Sequence, residues 1–361
     1  MSPSVPGPPV SPNNGSGKPP LERSFPHRQS AHCESGVTAN LLTHHGFPLS
    51  EAMAFGIGSG LFFAYFPFVR INHLPLITFR SAPGGILRRV ARRLGVGFTY
   101  LTFRNARRGM AELDRLLADG IPVGAQTGVF WLPYFPPALR FHFNAHNLVV
   151  YGKEGDSYRI SDPVIGEPVV CGAADLERAR FARGALAPKG KLFYLTGPLK
   201  EVDPAPAVRE AIREVCHRMT GIPFPLIGVR GIRYLAGRIA SWPARFGRRK
   251  ALLHLGNVIR MQEEIGTGGG GFRFIYAAFL QEAATVLDDR RFLDLSGKMT
   301  AIGDRWRDFA VAGARQCKGR PGGNDDFASL ARIVRECADL ENEFYRELDA
   351  VVADSRHAGR R

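Results

Sequence analysis

His32-Cys33-Glu34-Ser35-Gly36 stands immediately ahead of an apolar pattern with helical spacing: Val37, Leu41 and Leu42. A thiol at a helix start sits in the field of unpaired backbone amides, and that field favours the thiolate, the nucleophilic form. The commonest alternative for a free cysteine is a small buried hydrophobe. Three local features weigh against it. Cys33 opens its helical pattern instead of joining the apolar stripe, its neighbours are polar, and His32 precedes it directly.

A nucleophilic thiol needs a base and an orienting group. His146 opens the strand-like run Asn147-Leu148-Val149-Val150-Tyr151-Gly152, and Asp162 lies in Ile160-Ser161-Asp162-Pro163. His142 competes for the role of base, but His146 leads straight into the apolar strand. The turn Lys153-Glu154-Gly155-Asp156 returns Ser157–Ile160 alongside, so Asp162 is expected near the His146 ring. There it would fix the tautomer and leave the second ring nitrogen to the thiol. An Asp-Pro turn alone is common, and the pairing with His146 is what raises the signal. An early nucleophile with base and carboxylate on two later strands is the layout of a papain-like thiol enzyme. The fold expected is therefore α+β, a helix-borne cysteine packed on an antiparallel sheet. Oxyanion stabilisation would come from the Cys33 backbone amide plus a side chain, Gln29 or, less directly, Gln126.

The rest of the chain divides by pattern. Short helices and strands alternate to about Leu195, with helices expected near Ser50–Phe55, Gly85–Leu94, Ala106–Leu117 and Ala173–Arg183. From Pro206 to Val352 nearly everything reads as helix. Pro198, Pro204 and Pro206 cluster at the change, which sets the expected division: a Pro-rich disordered leader over 1–25, a catalytic domain over 26–200 and a helical domain over 205–355. The run Gly266-Thr267-Gly268-Gly269-Gly270-Gly271 lacks the Gly-Lys-Ser/Thr ending of a nucleotide loop and reads as a flexible connection between helices. Arg273 and Glu282 beyond it read as structural ion partners or as acceptor contacts. The adjacent His44 and His45 read as solvated.

Composition narrows the class. The chain has 361 residues, 45% of them hydrophobic, and a formal charge of +15. It is globular, and its basicity suits an acidic partner. No zinc-finger, RNA-recognition or basic-zipper pattern accompanies the charge, so nucleic acid is not expected. Five scattered cysteines without a close pair suit a reducing cytoplasm and argue against disulfides and a cysteine metal site. The apolar window Phe55–Val69 is interrupted by Pro67 and falls short of the roughly 20 residues of a membrane span.

Several motifs together resemble one family. His32-Cys33-Glu34-Ser35, Asn40-Leu41-Leu42, His45-Gly46, Leu49-Ser50-Glu51-Ala52 and Phe55-Gly56-Ile57-Gly58 resemble the N-terminal domain of butirosin biosynthesis protein H. So do Trp131-Leu132-Pro133-Tyr134 and the His146–Asp162 hairpin. That family is similar to the cysteine peptidases that trim bacteriocin leaders; those carry a glutamine six residues before the thiol, where this chain has His27. The helical remainder resembles the uncharacterised domain that accompanies the family. The resemblance implies an acyltransferase that moves an acyl group from the phosphopantetheine thioester of an acidic acyl carrier protein to the cysteine, then to an amine of a small metabolite. No bound cofactor is implied. A hydrolase with the same three residues and a non-catalytic binding module are the alternatives. Gln29, Gln126, Tyr134 and Arg273 complete the candidate site as oxyanion donors or substrate contacts around Cys33, His146 and Asp162.

Overall fold

The computed structural model describes residues 25–71, 73–197, 201–320, 322 and 326–358. The expected leader, up to residue 24, lies outside the described residues.

Helix α1 (Cys33–His44) starts at the thiol, with His32 as its cap residue in extended conformation. Ser50 caps α2 (Glu51–Ile57), its hydroxyl accepting the Met53 N–H at 2.9 Å. A two-stranded antiparallel hairpin follows, β1 (Leu61–Ile71) and β2 (Leu74–Arg80), and then α3 (Gly85–Arg93). Strand β3 (Phe98–Leu101), helix α4 (Ala106–Ala118) and strand β4 (Val123–Thr127) come next. Strands β5 (His146–Glu154) and β6 (Ser157–Ser161) form a hairpin, turned at Gly155 with a φ of 53°, a left-handed conformation that suits glycine. Strand β7 (Val169–Gly172), helix α5 (Ala173–Arg180) and strand β8 (Leu192–Leu195) complete a six-stranded antiparallel sheet of order β3-β8-β4-β5-β6-β7. Six long helices end the chain: α6 (Ala205–Cys216), α7 (Gly228–Phe246), α8 (Arg248–Glu263), α9 (Arg273–Val286), α10 (Arg291–Cys317) and α11 (Phe327–Ala358). Among the described residues no helix is long and apolar enough to cross a membrane.

Strand alternation splits the sheet between two hydrophobic cores. Leu148 and Val150 join α4 and α5 in the smaller one, while Val149 faces α1 and the larger. The larger core does not stop at the Pro-rich segment near residue 200. It unites α1, α2, α3 and the β1–β2 hairpin with α6–α11. Phe63 and Phe79 pack on Trp306 of α10, at ring-centroid distances of 6.3 and 5.4 Å. Each such buried ring contributes on the order of 1.5–3 kcal/mol. Strand β8 lies inside the sheet between β3 and β4, so every strand of that sheet precedes the Pro-rich segment, while the first helices and hairpin share one core with the helical region.

Candidate active site

The thiol is presented by a tightly held segment. The backbone N–H groups of Ala31 and His32 donate to the two oxygens of Glu51, at 3.0 and 2.6 Å, fixing the chain as it enters α1. The Arg80 guanidinium hydrogen-bonds Nε2 of His32. A guanidinium only donates, so Nε2 accepts, and Nδ1 faces Ser35, whose backbone N–H (3.3 Å) and hydroxyl (2.9 Å) both lie within hydrogen-bonding distance at the helix cap. Burial first, then the charges of Arg80 and His146, hold the His32 pKa well below its ordinary value and keep the ring neutral. Arg80 also pairs with the buried Glu34, whose carboxylate accepts the N–H groups of Gly84 (3.0 Å) and Ile86 (2.8 Å) at the start of α3. The residues on both sides of Cys33 thus tie α1 to its neighbours.

The glycine run contributes from the far end of the chain. A Cβ on Gly266 would stand 3.2 Å from the Ala31 carbonyl oxygen, at a backbone φ of +61°. Thr267 donates to the Gln262 carbonyl at 2.7 Å and accepts the Gly269 N–H at 3.0 Å. The Phe272 ring stacks on Phe55 and meets the His32 ring edge-on at 5.3 Å. The run is therefore a packed, hydrogen-bonded loop behind the nucleophile segment, not the flexible connection expected.

Across from the thiol, His146 is the first residue of β5 and its Nε2 lies 2.7 Å from Oδ2 of Asp162. The same oxygen accepts the Tyr134 hydroxyl at 2.8 Å, and Oδ1 accepts the Val164 N–H at 3.2 Å. Asp162 is fully buried, and the Phe135 ring closes edge-on against the imidazole at 5.6 Å. With Nε2 held by Asp162, the other ring nitrogen is the one left for Cys33, and the charges of the two residues act on each other. His142 is elsewhere, stacked on Phe130 at 4.2 Å.

The electrostatics follow from this chain of partners. Burial alone would raise the Cys33 pKa. The hydrogen bond and charge of His146, with smaller contributions from the Asn147 backbone and Arg80, outweigh it and bring the thiol below its ordinary value. Burial likewise pulls His146 down, but the charge and hydrogen bond of Asp162 prevail and push it up to about 10. Both shifts run in the direction that favours passing the thiol proton to the imidazole. The four other cysteines move the opposite way: burial raises Cys171, to about 12, and also Cys216, Cys317 and Cys337.

The remaining expected site residues fall in different places. Tyr134 acts on Asp162, as above. Gln29 is exposed, its Oε1 lying over Gly166. His27, six residues before the thiol, is engaged by Ser161 Oγ (2.8 Å) and the Ile165 carbonyl (3.1 Å). Gln126 is buried, but its amide nitrogen donates to the carbonyls of Asn144 (2.9 Å) and Leu186 (3.0 Å), so both hydrogens are taken. It braces the loop and is no free oxyanion donor. Arg273 is fully buried and bonded to both oxygens of Glu341, at 2.8 and 3.0 Å, and to the Gly271 carbonyl at 2.7 Å. It is a structural ion partner, out of reach of a substrate.

Asn147 is the residue that sequence reasoning passed over. Buried and paired in register with Gln126, it directs its side-chain amide nitrogen at Cys33 Sγ, 3.9 Å away. Its signal was its place directly after the expected base. Asn147 also lines a narrow cleft with Glu34, Arg88, Tyr100, Lys191 and Phe193, while the Cys33 thiol itself is buried behind it.

The comparisons agree with the order of the regions. None of the curated proteins matches the chain. A solved protein from Bacillus anthracis, described as a candidate C39-like peptidase, is similar at 18% identity and a TM-score of 0.34, over 49% of this chain and 96% of that one. Family models match two consecutive stretches, residues 32–163 and residues 174–348. The first is described as butirosin biosynthesis protein H, N-terminal, and the second as a domain of unknown function (DUF4872). The chain thus carries the butirosin biosynthesis protein H N-terminal family match around Cys33, His146 and Asp162, followed by that helical domain.

Proposed function

We propose that this chain is a cysteine acyltransferase, in which Cys33 takes an acyl group from a thioester and hands it to an amine. The observation that carries this reading is the buried hydrogen-bonded series Cys33–His146–Asp162 at a helix start. The thiolate attacks the thioester carbonyl; a new C–S bond forms and the carbonyl π pair moves to oxygen. As the tetrahedral adduct collapses, the donor thiol leaves and takes the proton from His146. The now neutral His146 then accepts a proton from the amine as its nitrogen bonds to the acyl carbon, and collapse of this second adduct breaks the C–S bond and returns the Cys33 thiolate beside the imidazolium. Asp162 steadies the imidazolium throughout, and Tyr134 and Val164 keep that carboxylate in place. Exclusion of water from the seam protects the acyl-enzyme.

The family resemblance supports an acidic acyl carrier protein as donor and an amine-bearing small metabolite as acceptor. The basic charge supports it too, since Arg88 and Lys191 flank the cleft that reaches Asn147. Intact-protein mass spectrometry after incubation with an acyl-pantetheine thioester tests the reading. The expected result is one acyl adduct, lost in Cys33→Ala, that persists until an amine is added. Rapid loss to water would replace transferase with hydrolase, and no adduct with any thioester would leave a binding module.

A further inference from the structure

We propose that the Asn147 side-chain amide is the second oxyanion donor of this site, acting with the backbone amide of Cys33 on the oxygen of the tetrahedral adduct. The inference rests on the acyl-transfer reading above. Its starting point is a gap: neither glutamine expected in this role is available. Gln29 is turned to Gly166 at the surface, and Gln126 spends both amide hydrogens on carbonyls. The position six residues before the thiol is His27, held by Ser161 and Ile165.

Asn147 has what the gap requires. Its carboxamide is buried and donates to the Ala145 carbonyl at 3.3 Å, leaving the second hydrogen toward Sγ at 3.9 Å. A bond to sulfur that long is weak, so this donor is poorly used in the resting site. When a carbonyl carbon bonds to Sγ, the oxygen acquiring the electron pair lies next to that sulfur, where the amide hydrogen already points. A donor better satisfied in the transition state than before it accelerates the step. The Cys33 N–H, in the first turn of α1, has no acceptor within its helix and so is a donor the helix leaves unused. Glu34, the carboxylate nearest in sequence, is neutralised by Arg80 and the amides of α3, so it does not oppose the developing charge. Asn147 is also the residue that joins this buried sulfur to a surface cleft.

The test separates charge on oxygen from reactivity of sulfur. Acylation of Cys33 by p-nitrophenyl acetate, followed by the p-nitrophenolate burst, builds an oxyanion; alkylation by iodoacetamide displaces iodide at a saturated carbon and builds none. In Asn147→Ala the acylation rate is expected to fall about 10²- to 10³-fold. Alkylation should stay near the wild-type rate, because the backbone amide that helps hold the thiolate is retained. Asn147→Ser, whose hydroxyl falls short of the sulfur, repeats the comparison if the alanine variant loses its circular-dichroism signature. Equal losses in both reactions would reduce Asn147 to a thiol-positioning residue and overturn the proposal, as would no loss in either. Wild-type protein that is alkylated but never acylated would instead overturn the acyl-transfer reading itself.

Discussion

Two buried charge clusters in this molecule have the same burial and opposite consequences. In the helical region Arg273 and Glu341 face each other through a bidentate contact. Trp306 Nε1 donates to the same carboxylate at 2.7 Å and Gly271 accepts from the guanidinium. Every strong valence is spent, and the rings of Phe79 and Trp306 cover the guanidinium at 5.5 and 5.1 Å. In the seam between the two cores, Asp162 is equally saturated, by His146, Tyr134 and Val164. The imidazole beyond it faces a thiol, and Asn147, which approaches that thiol, lines a cleft. A closed cluster fixes the fold, whereas a cluster with one reactive end has chemistry left to do. The same contrast separates Cys33 from the four cysteines whose pKa values burial raises.

Variants at each cluster sharpen that contrast. The largest effect is expected for Asp162→Asn, which removes the charge that sustains the imidazolium and can invert the ring tautomer. Acylation of Cys33 should drop on the order of 10³- to 10⁴-fold. The acid limb of its pH profile should move upward, because the thiolate loses its cationic partner. Stopped-flow acylation across pH checks both, and an unchanged profile would detach Asp162 from the site. The complementary variant is Arg273→Met, which strands a buried Glu341 carboxylate and should cost about 3–5 kcal/mol of stability. Chemical denaturation reads that loss, while iodoacetamide reactivity of Cys33 in the folded protein should be unaltered. A shift in the thiol's pH profile in this variant would show that the two clusters are coupled and that the distinction fails.

Much of the fold and the heart of the site were legible because their signals are local. The helical spacing after Cys33, the strand-like run after His146 and the turn at Gly155 are written within a few positions of the elements they define. The pairing of His146 with Asp162 needed only one hairpin. What escaped depends on contacts between distant segments. The Pro-rich segment near residue 200 looks like a border, yet α1 and the first hairpin complete the core of the helical region. The Gly266–Gly271 run reads as a linker, but it is small because the Ala31 carbonyl lies against it. Arg80 and Asn147 meet the nucleophile segment only after folding, and no spacing rule connects residues 34 and 80.

The resting thiolate–imidazolium pair is the claim on which the chemistry depends. Its charge state has a defined pH window. Lowering of the Cys33 pKa stabilises the fold above the ordinary thiol value of 9.0 and is lost as pH falls through the lowered value. Raising of His146 stabilises it below 6.5 and is lost as pH rises through about 10, the two titrations belonging to the pair jointly. The direct measurement is the rate of Cys33 alkylation by iodoacetamide as a function of pH, with the modified residue located by mass spectrometry. The account predicts selective modification of Cys33 with a midpoint clearly below 9.0 and little reaction at the other four cysteines near neutral pH. A midpoint at or above 9.0, or reaction spread over several cysteines, would contradict it.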